Sequence, residues 1–135
     1  MRSCLYCSTT FKPKHPHHMF CTDQHRQHYN KSKTWEGYFK RLLHNNSKSR
    51  TQLSVRFLLN LIKKQNYRCA LSGVELTKIT GKGVVTTNAS IDRIKPGRAY
   101  SRKNVRLVCT FVNSFRGNVS DEDLRWWARK IVNNG

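Results

Sequence analysis

Between Ser90 and Asn113 the chain permits few arrangements. Ser90 to Ile94 alternates small or polar residues with apolar ones, the pattern of a half-buried strand. Pro96-Gly97 follows. Proline presets φ and glycine tolerates φ > 0, so the pair reads as a tight turn. Val105, Leu107 and Cys109 then fall on one face of a second strand, with Asn104, Arg106 and Val108 on the other. From Phe111 to Phe115 the chain turns helical. This order brings Asp92, near the end of the first strand, and Asn113, on the helix, towards one point. Two oxygen-bearing side chains meeting in a strongly basic chain suggest a hard divalent cation acting on a phosphate.

The chain has 135 residues, room for one domain or a small domain with an appendage. Its 26 Lys and Arg stand against 7 Asp and Glu, a formal net charge of +19. Folding does not require such an excess and is opposed by its self-repulsion. A polyphosphate is the partner that offsets it, so DNA or RNA leads and an anionic membrane surface comes second. No apolar run approaches the roughly 20 residues needed to cross a bilayer. Met1-Arg2-Ser3-Cys4 lacks the apolar core of a secretory signal. The expectation is an intracellular protein with reduced thiols, no membrane partner, and cysteines serving as metal ligands or buried thiols.

Cys4-Leu-Tyr-Cys7 sets two thiolates across a tight turn, and Phe20-Cys21-Thr-Asp-Gln-His25 comes thirteen residues after Cys7. C-x2-C-x13-C-x3-H supplies four ligands for tetrahedral zinc, with His28 as an alternative fourth. Residues 1–30 are expected to form this module, and zinc to supply its folding energy. It resembles small zinc-ribbon or treble-clef modules, with His25 in place of the last cysteine. His15, His17 and His18 read as loop residues facing solvent or phosphate.

The stretch that opened this section resembles the HNH, or ββα-metal, endonucleases. Their pattern runs Asp-His, a Gly-rich loop, an Asn, then Leu-x-Cys-x-x-Cys before Asn or His. Here stand Asp92-Arg93, the loop through Gly97, Asn104, and Leu107-Val-Cys-Thr-Phe-Val-Asn113. Arg93 occupies the place of the general-base histidine. In the PacI-like branch, Asp-Arg is followed seven residues on by a tyrosine that replaces that base, and Tyr100 keeps the spacing. The resemblance implies a small α+β fold with a ββα-metal core, flanking helices and the N-terminal zinc module. It implies hydrolysis of double-stranded DNA with Mg2+ or Mn2+ on Asp92 and Asn113, Tyr100 as the base, and Asn104 supporting the loop. Free tyrosine ionises near pH 10, about three units above working pH, so a base role asks for a neighbouring guanidinium. Arg93 is the candidate, with Arg98 or Arg102 as substitutes; arginine stays charged and cannot itself be the base. The restriction branch also implies a homodimer, since cutting both strands takes two active sites.

Elsewhere the reading is coarser. Trp35, Tyr38, Phe39, Leu42 and Leu43 recur at helical spacing, predicting a helix over about 34–44. A basic linker through Lys48 and Arg50 completes a 31–50 connector, and residues 51–135 form the nuclease core. A helix is expected over 51–66, with a wide apolar stripe from Val55 to Ile62. Cys69-x-x-Ser72 and Cys109-x-x-Val112 have each lost one cysteine of a knuckle, so neighbouring buried thiols are expected there rather than a second zinc. Residues 77–89 read as a variable loop or hairpin. After Ser120-Asp-Glu-Asp123, an N-cap signature, Leu124, Trp127, Ala128 and Ile131 make a stripe expected to pack, with Trp126 off it. Arg98, Arg102, Lys103, Arg106, Lys48 and Arg50 are the expected DNA contacts. The rival readings are a nucleic-acid-binding zinc protein with an inactive nuclease fold and a structural ribonucleoprotein component.

Overall fold

In the computed structural model, residues 1–45, 50 and 52–135 are described. Lys48, an expected DNA contact, lies outside them. In chain order the elements are β1 (Arg2–Ser3), β2 (Thr10–Phe11), α1 (Asp23–Ser32), α2 (Trp35–His44), α3 (Val55–Lys64), β3 (Ala89–Arg93), β4 (Val105–Cys109), α4 (Thr110–Arg116) and α5 (Asp121–Asn134). The chain is thus a small α+β fold with two two-stranded antiparallel sheets and five helices among the described residues.

Hydroxyl side chains fix where four helices begin. Thr22, Thr34, Ser54 and Ser120 each hold an extended backbone and accept a hydrogen bond from the N–H three residues on. This explains a boundary that periodicity misplaces. The third helix starts at Val55, not Thr51, because Ser54 takes the cap and Leu53 is drawn into the core instead. α1 has no apolar stripe of its own and is started by Thr22 beside the Cys21 ligand position.

The core lies where the β3–β4 hairpin meets α2 and α3. Ile91 pairs with Leu107 in register, and both are buried with Phe39, Leu58 and Ile62. Each end of the contact is tied by a long side chain. The Tyr38 hydroxyl donates to the Ala89 carbonyl at 2.7 Å. The Gln65 amide, just past α3, donates to the Leu107 carbonyl at 2.8 Å and accepts from the Leu107 N–H at 3.0 Å. Cys69 and Cys109 are buried neighbours, the Cys109 N–H donating to the Cys69 sulfur at 3.3 Å. Asn88 closes the 77–89 loop, with Thr77 and the Ile79 N–H donating to its Oδ1.

The C-terminal stripe does not pack. Leu124 is buried, but Trp127 is 54% exposed and Ile131 58%. Periodicity reports that a face exists, not what covers it, and here the hairpin and α3 already fill the core. Only the first turn of α5 docks. Trp126 is exposed as well.

α1 and α2 touch backbone to backbone at Gly37, where a Cβ would sit 1.3 Å from the Lys31 carbonyl oxygen. Gly37→Ala must push the two helices apart. A loss of about 1–3 kcal/mol is expected from such overpacking, read as a lower urea midpoint at unchanged zinc content.

Candidate metal centre and candidate active site

The N-terminal cluster is assembled by a turn and a helix start. Cys4 and Cys7 flank a turn closed by the Ser8 N–H donating to the Cys4 carbonyl at 2.9 Å, with Ser8 at φ 63°. Cys21 precedes the Thr22 cap, and His25 sits in the first turn of α1. One ligand atom from each of Cys4, Cys7, Cys21 and His25 lies within 4.8 Å of the others. The Cys7 and Cys21 sulfurs are 3.6 Å apart, and His25 Nδ1 is 2.9 Å from Cys21 Sγ and 4.0 Å from Cys4 Sγ. With Zn–S bonds of about 2.3 Å, tetrahedral thiolates stand roughly 3.8 Å apart, so the set fits zinc. Four protein ligands leave no open position, the mark of a structural site. His28 is not in the cluster; its ring stacks on Tyr6.

The thiols are electrostatically unequal without a cation. Burial opposes ionisation of Cys4, but amide N–H groups of Cys21, Cys7 and Tyr6 outweigh it and bring the thiol down to about 6. Burial, with the Cys7 and Cys4 sulfurs beside it, pushes Cys21 up to about 11. A bound divalent cation removes this conflict by favouring all the thiolates together.

The second constellation surrounds the hairpin's far end. Asp92, Arg93, Tyr100, Asn113 and Arg116 line one pocket of about 180 Å³. Strand β3 supplies the first two, the interstrand loop supplies Tyr100, and α4 supplies the last two. Asn104 braces the loop: its Oδ1 accepts from the Lys95 N–H, and its Nδ2 donates to the Lys95 and Ala99 carbonyls. The Asn113 amide nitrogen donates to Ser90 Oγ at 2.7 Å, and no described residue donates to its side-chain carbonyl. The guanidiniums of Arg93 and Arg50 lie 5.0 and 4.9 Å from the Tyr100 ring centroid. Arg50 Nε and Nη1 are buried without a hydrogen-bond partner.

Asp92 is buried and held by two arginines. Its Oδ1 accepts from Arg116 Nη1 at 2.6 Å and its Oδ2 from Arg106 Nε at 2.9 Å. Arg106 is therefore not a free phosphate contact, as expected from its charge, but spans Asp92 and Asp121 with its side chain 12% exposed. Both Asp121 oxygens accept from Arg106, at 2.6 and 2.7 Å, and Arg116 Nε is 3.2 Å from Asp121. Arg98, Arg102 and Lys103 are exposed around the loop. Sequence gave no separate sign of Arg116 or Asp121. The available signal was spacing: Arg116 lies three residues after Asn113, on the same helical face.

Two outcomes are expected. Purified protein carries one zinc per chain; Cys21→Ser loses it together with the helical signal of α1, and acid releases it because protons compete for the ligands. Metal analysis and circular dichroism check this, and a zinc-free protein with full helicity would overturn it. The second concerns Asp121, whose carboxyl is held below the usual range by the Arg106 hydrogen bonds against the opposing effect of burial. A depressed carboxyl stabilises the fold above its unfolded value and loses that contribution as pH falls through the folded one. Asp121→Asn should cost about 1–3 kcal/mol at pH 7. The gap to wild type should persist to about pH 5 and close below about pH 4, measured by urea unfolding. No protein-family model, curated protein or solved structure matches the chain.

Proposed function

We propose that the chain is a metal-dependent DNA endonuclease of HNH type, with a tyrosine in place of the usual histidine base. The observation that supports this is the shared pocket. Asp92, Arg93, Tyr100 and Asn113 come from three separate segments and line one cavity in a chain of net charge +19. Basic character alone would scatter such groups over the surface.

Asp92 and Asn113 fit a hard cation as oxygen donors. A carboxylate offers about four lone-pair positions and the two arginines use two, while the Asn113 carbonyl faces no described donor. These two residues would hold Mg2+ or Mn2+, which when bound would polarise the scissile phosphate and stabilise the leaving 3′ oxygen. Tyr100 takes the proton of the attacking water as the new P–O bond forms and the bond to the 3′ oxygen breaks. Arg93 and Arg50 keep positive charge over its ring. Asn104 holds the loop that carries the tyrosine.

One observation favours the rival reading of an inactive nucleic-acid-binding zinc protein: both Asp92 oxygens already accept from guanidiniums. Supercoiled plasmid with Mg2+ or Mn2+ decides between them. The endonuclease cuts or nicks it. Asp92→Ala abolishes cutting, and Tyr100→Phe, which keeps the ring and removes the hydroxyl, lowers it by at least 100-fold with DNA binding retained. Full activity in Tyr100→Phe would place the base elsewhere. Binding without cleavage of plasmid or phage genomic DNA would establish the rival.

A further inference from the structure

The largest of the described cavities, about 790 Å³, lies away from the Tyr100 pocket and beside the metal cluster, between Tyr6 of the N-terminal module and α2. Cationic or imidazole side chains line it from two helices: His28 and Lys31 of α1, and Lys40, Arg41 and His44 of α2. No carboxylate lines it. Glu36 reaches Lys40 at 2.9 Å, but both side chains are more than half exposed, and such a pair is worth little. The basic groups do not converge on one point as they would around a single small anion. His28 and Lys31 are three residues apart on α1, and Lys40 and His44 four apart on α2, so each pair follows a helix face. From Gly37 to His44 the cleft follows α2 for about 10 Å, roughly three base-pair steps along a duplex axis. The helices cannot slide to close it, because Gly37 already sits against the Lys31 backbone.

Chain length ties the cleft to the pocket. Asn45 lines the cleft, and Arg50 stands over Tyr100. Five residues of extended chain reach at most about 18 Å, or about five base pairs at roughly 3.4 Å each. One short duplex can meet both.

We propose that the α1–α2 cleft is a second binding site, which takes the phosphate backbone of duplex DNA beside the segment held at the Tyr100 pocket. This rests on the DNA-binding part of the function proposed above and not on cleavage. The test is fluorescence anisotropy with a labelled 20-base-pair duplex, without added Mg2+ or Mn2+, from 50 to 300 mM salt. Lys31→Gln/Lys40→Gln changes two exposed residues and leaves the zinc ligands alone. Each lost phosphate contact lowers the slope of log affinity against log salt by about 0.9, so a drop of about 1.8 is expected, with at least tenfold weaker binding at low salt. Adding Arg41→Gln should deepen the loss. Arg129→Gln/Lys130→Gln, on the exposed end of α5, serves as the control and should leave the slope within about 1 of wild type. An unchanged slope in the cleft variant, with zinc content and circular dichroism intact, overturns the proposal. So does a slope change seen with single-stranded RNA but not with the duplex, or a wild type that binds no duplex. A plasmid that is bound but never cut defeats the endonuclease reading and leaves the cleft standing.

Discussion

A guanidinium with almost no access to water joins the hairpin, α4 and α5. Arg116 is 2% exposed and would be very costly there alone. Its two terminal nitrogens are answered by Asp92 Oδ1 and the Arg93 and Ile94 carbonyls, while Nε has no hydrogen-bond partner among the described residues and lies 3.2 Å from the Asp121 carboxylate. Arg106 adds the second cation to the two carboxylates, closing a ring of two positive and two negative charges. A buried network of this kind contributes less to stability than to uniqueness, since removing one member leaves another charge unpaired. Here the uniqueness has a location. The ring fixes the carboxylate of Asp92 and the end of β3 against Arg116 of α4, and these line the pocket, with α5 holding the ring from behind through Asp121.

The N-terminal module, whose Cys4, Cys7, Cys21 and His25 could hold a zinc ion, meets a different problem. Its strands are two residues long and its first helix is polar, so apolar burial cannot hold it. Three thiols and an imidazole drawn within 4.8 Å of each other are unfavourable without a cation and favourable with one. The module then meets the rest of the chain through Gly37, where two backbones come too close for any side chain. One half gathers a four-residue cluster that could hold a metal, the other a hairpin core, and a glycine sets how near they stand.

Local grammar carried much of this in the sequence. The four-ligand spacing, the turn at Pro96-Gly97, the alternation in both core strands and the four hydroxyl caps all act within a few residues, so they can be read without the fold. The convergence of Asp92, Arg93, Tyr100 and Asn113 was legible because strand, turn, strand and helix leave few geometries. What escaped was long-range pairing. Nothing local says that Arg106 turns from solvent to meet Asp121, that Arg116 is buried, or that Arg50 crosses to Tyr100. The stripe of α5 misled for the same reason: it announces an apolar face without naming a partner.

The central hairpin has only two strands, and side chains and loops occupy several of its outward backbone groups. On the β4 side the Leu107 N–H and carbonyl go to the Gln65 amide, the same carbonyl also accepts from the Ala70 N–H, and the Cys109 N–H goes to a sulfur. On the β3 side the Ala89 N–H donates to the Thr77 carbonyl and its own carbonyl accepts from Tyr38. Unpaired edges are where sheets recruit further strands, from the same protein or a foreign one. At Ala89 and Leu107, side chains and loops take the places that further strands would fill, so a peptide adding to this sheet would have to displace Tyr38 on one border or Gln65 on the other.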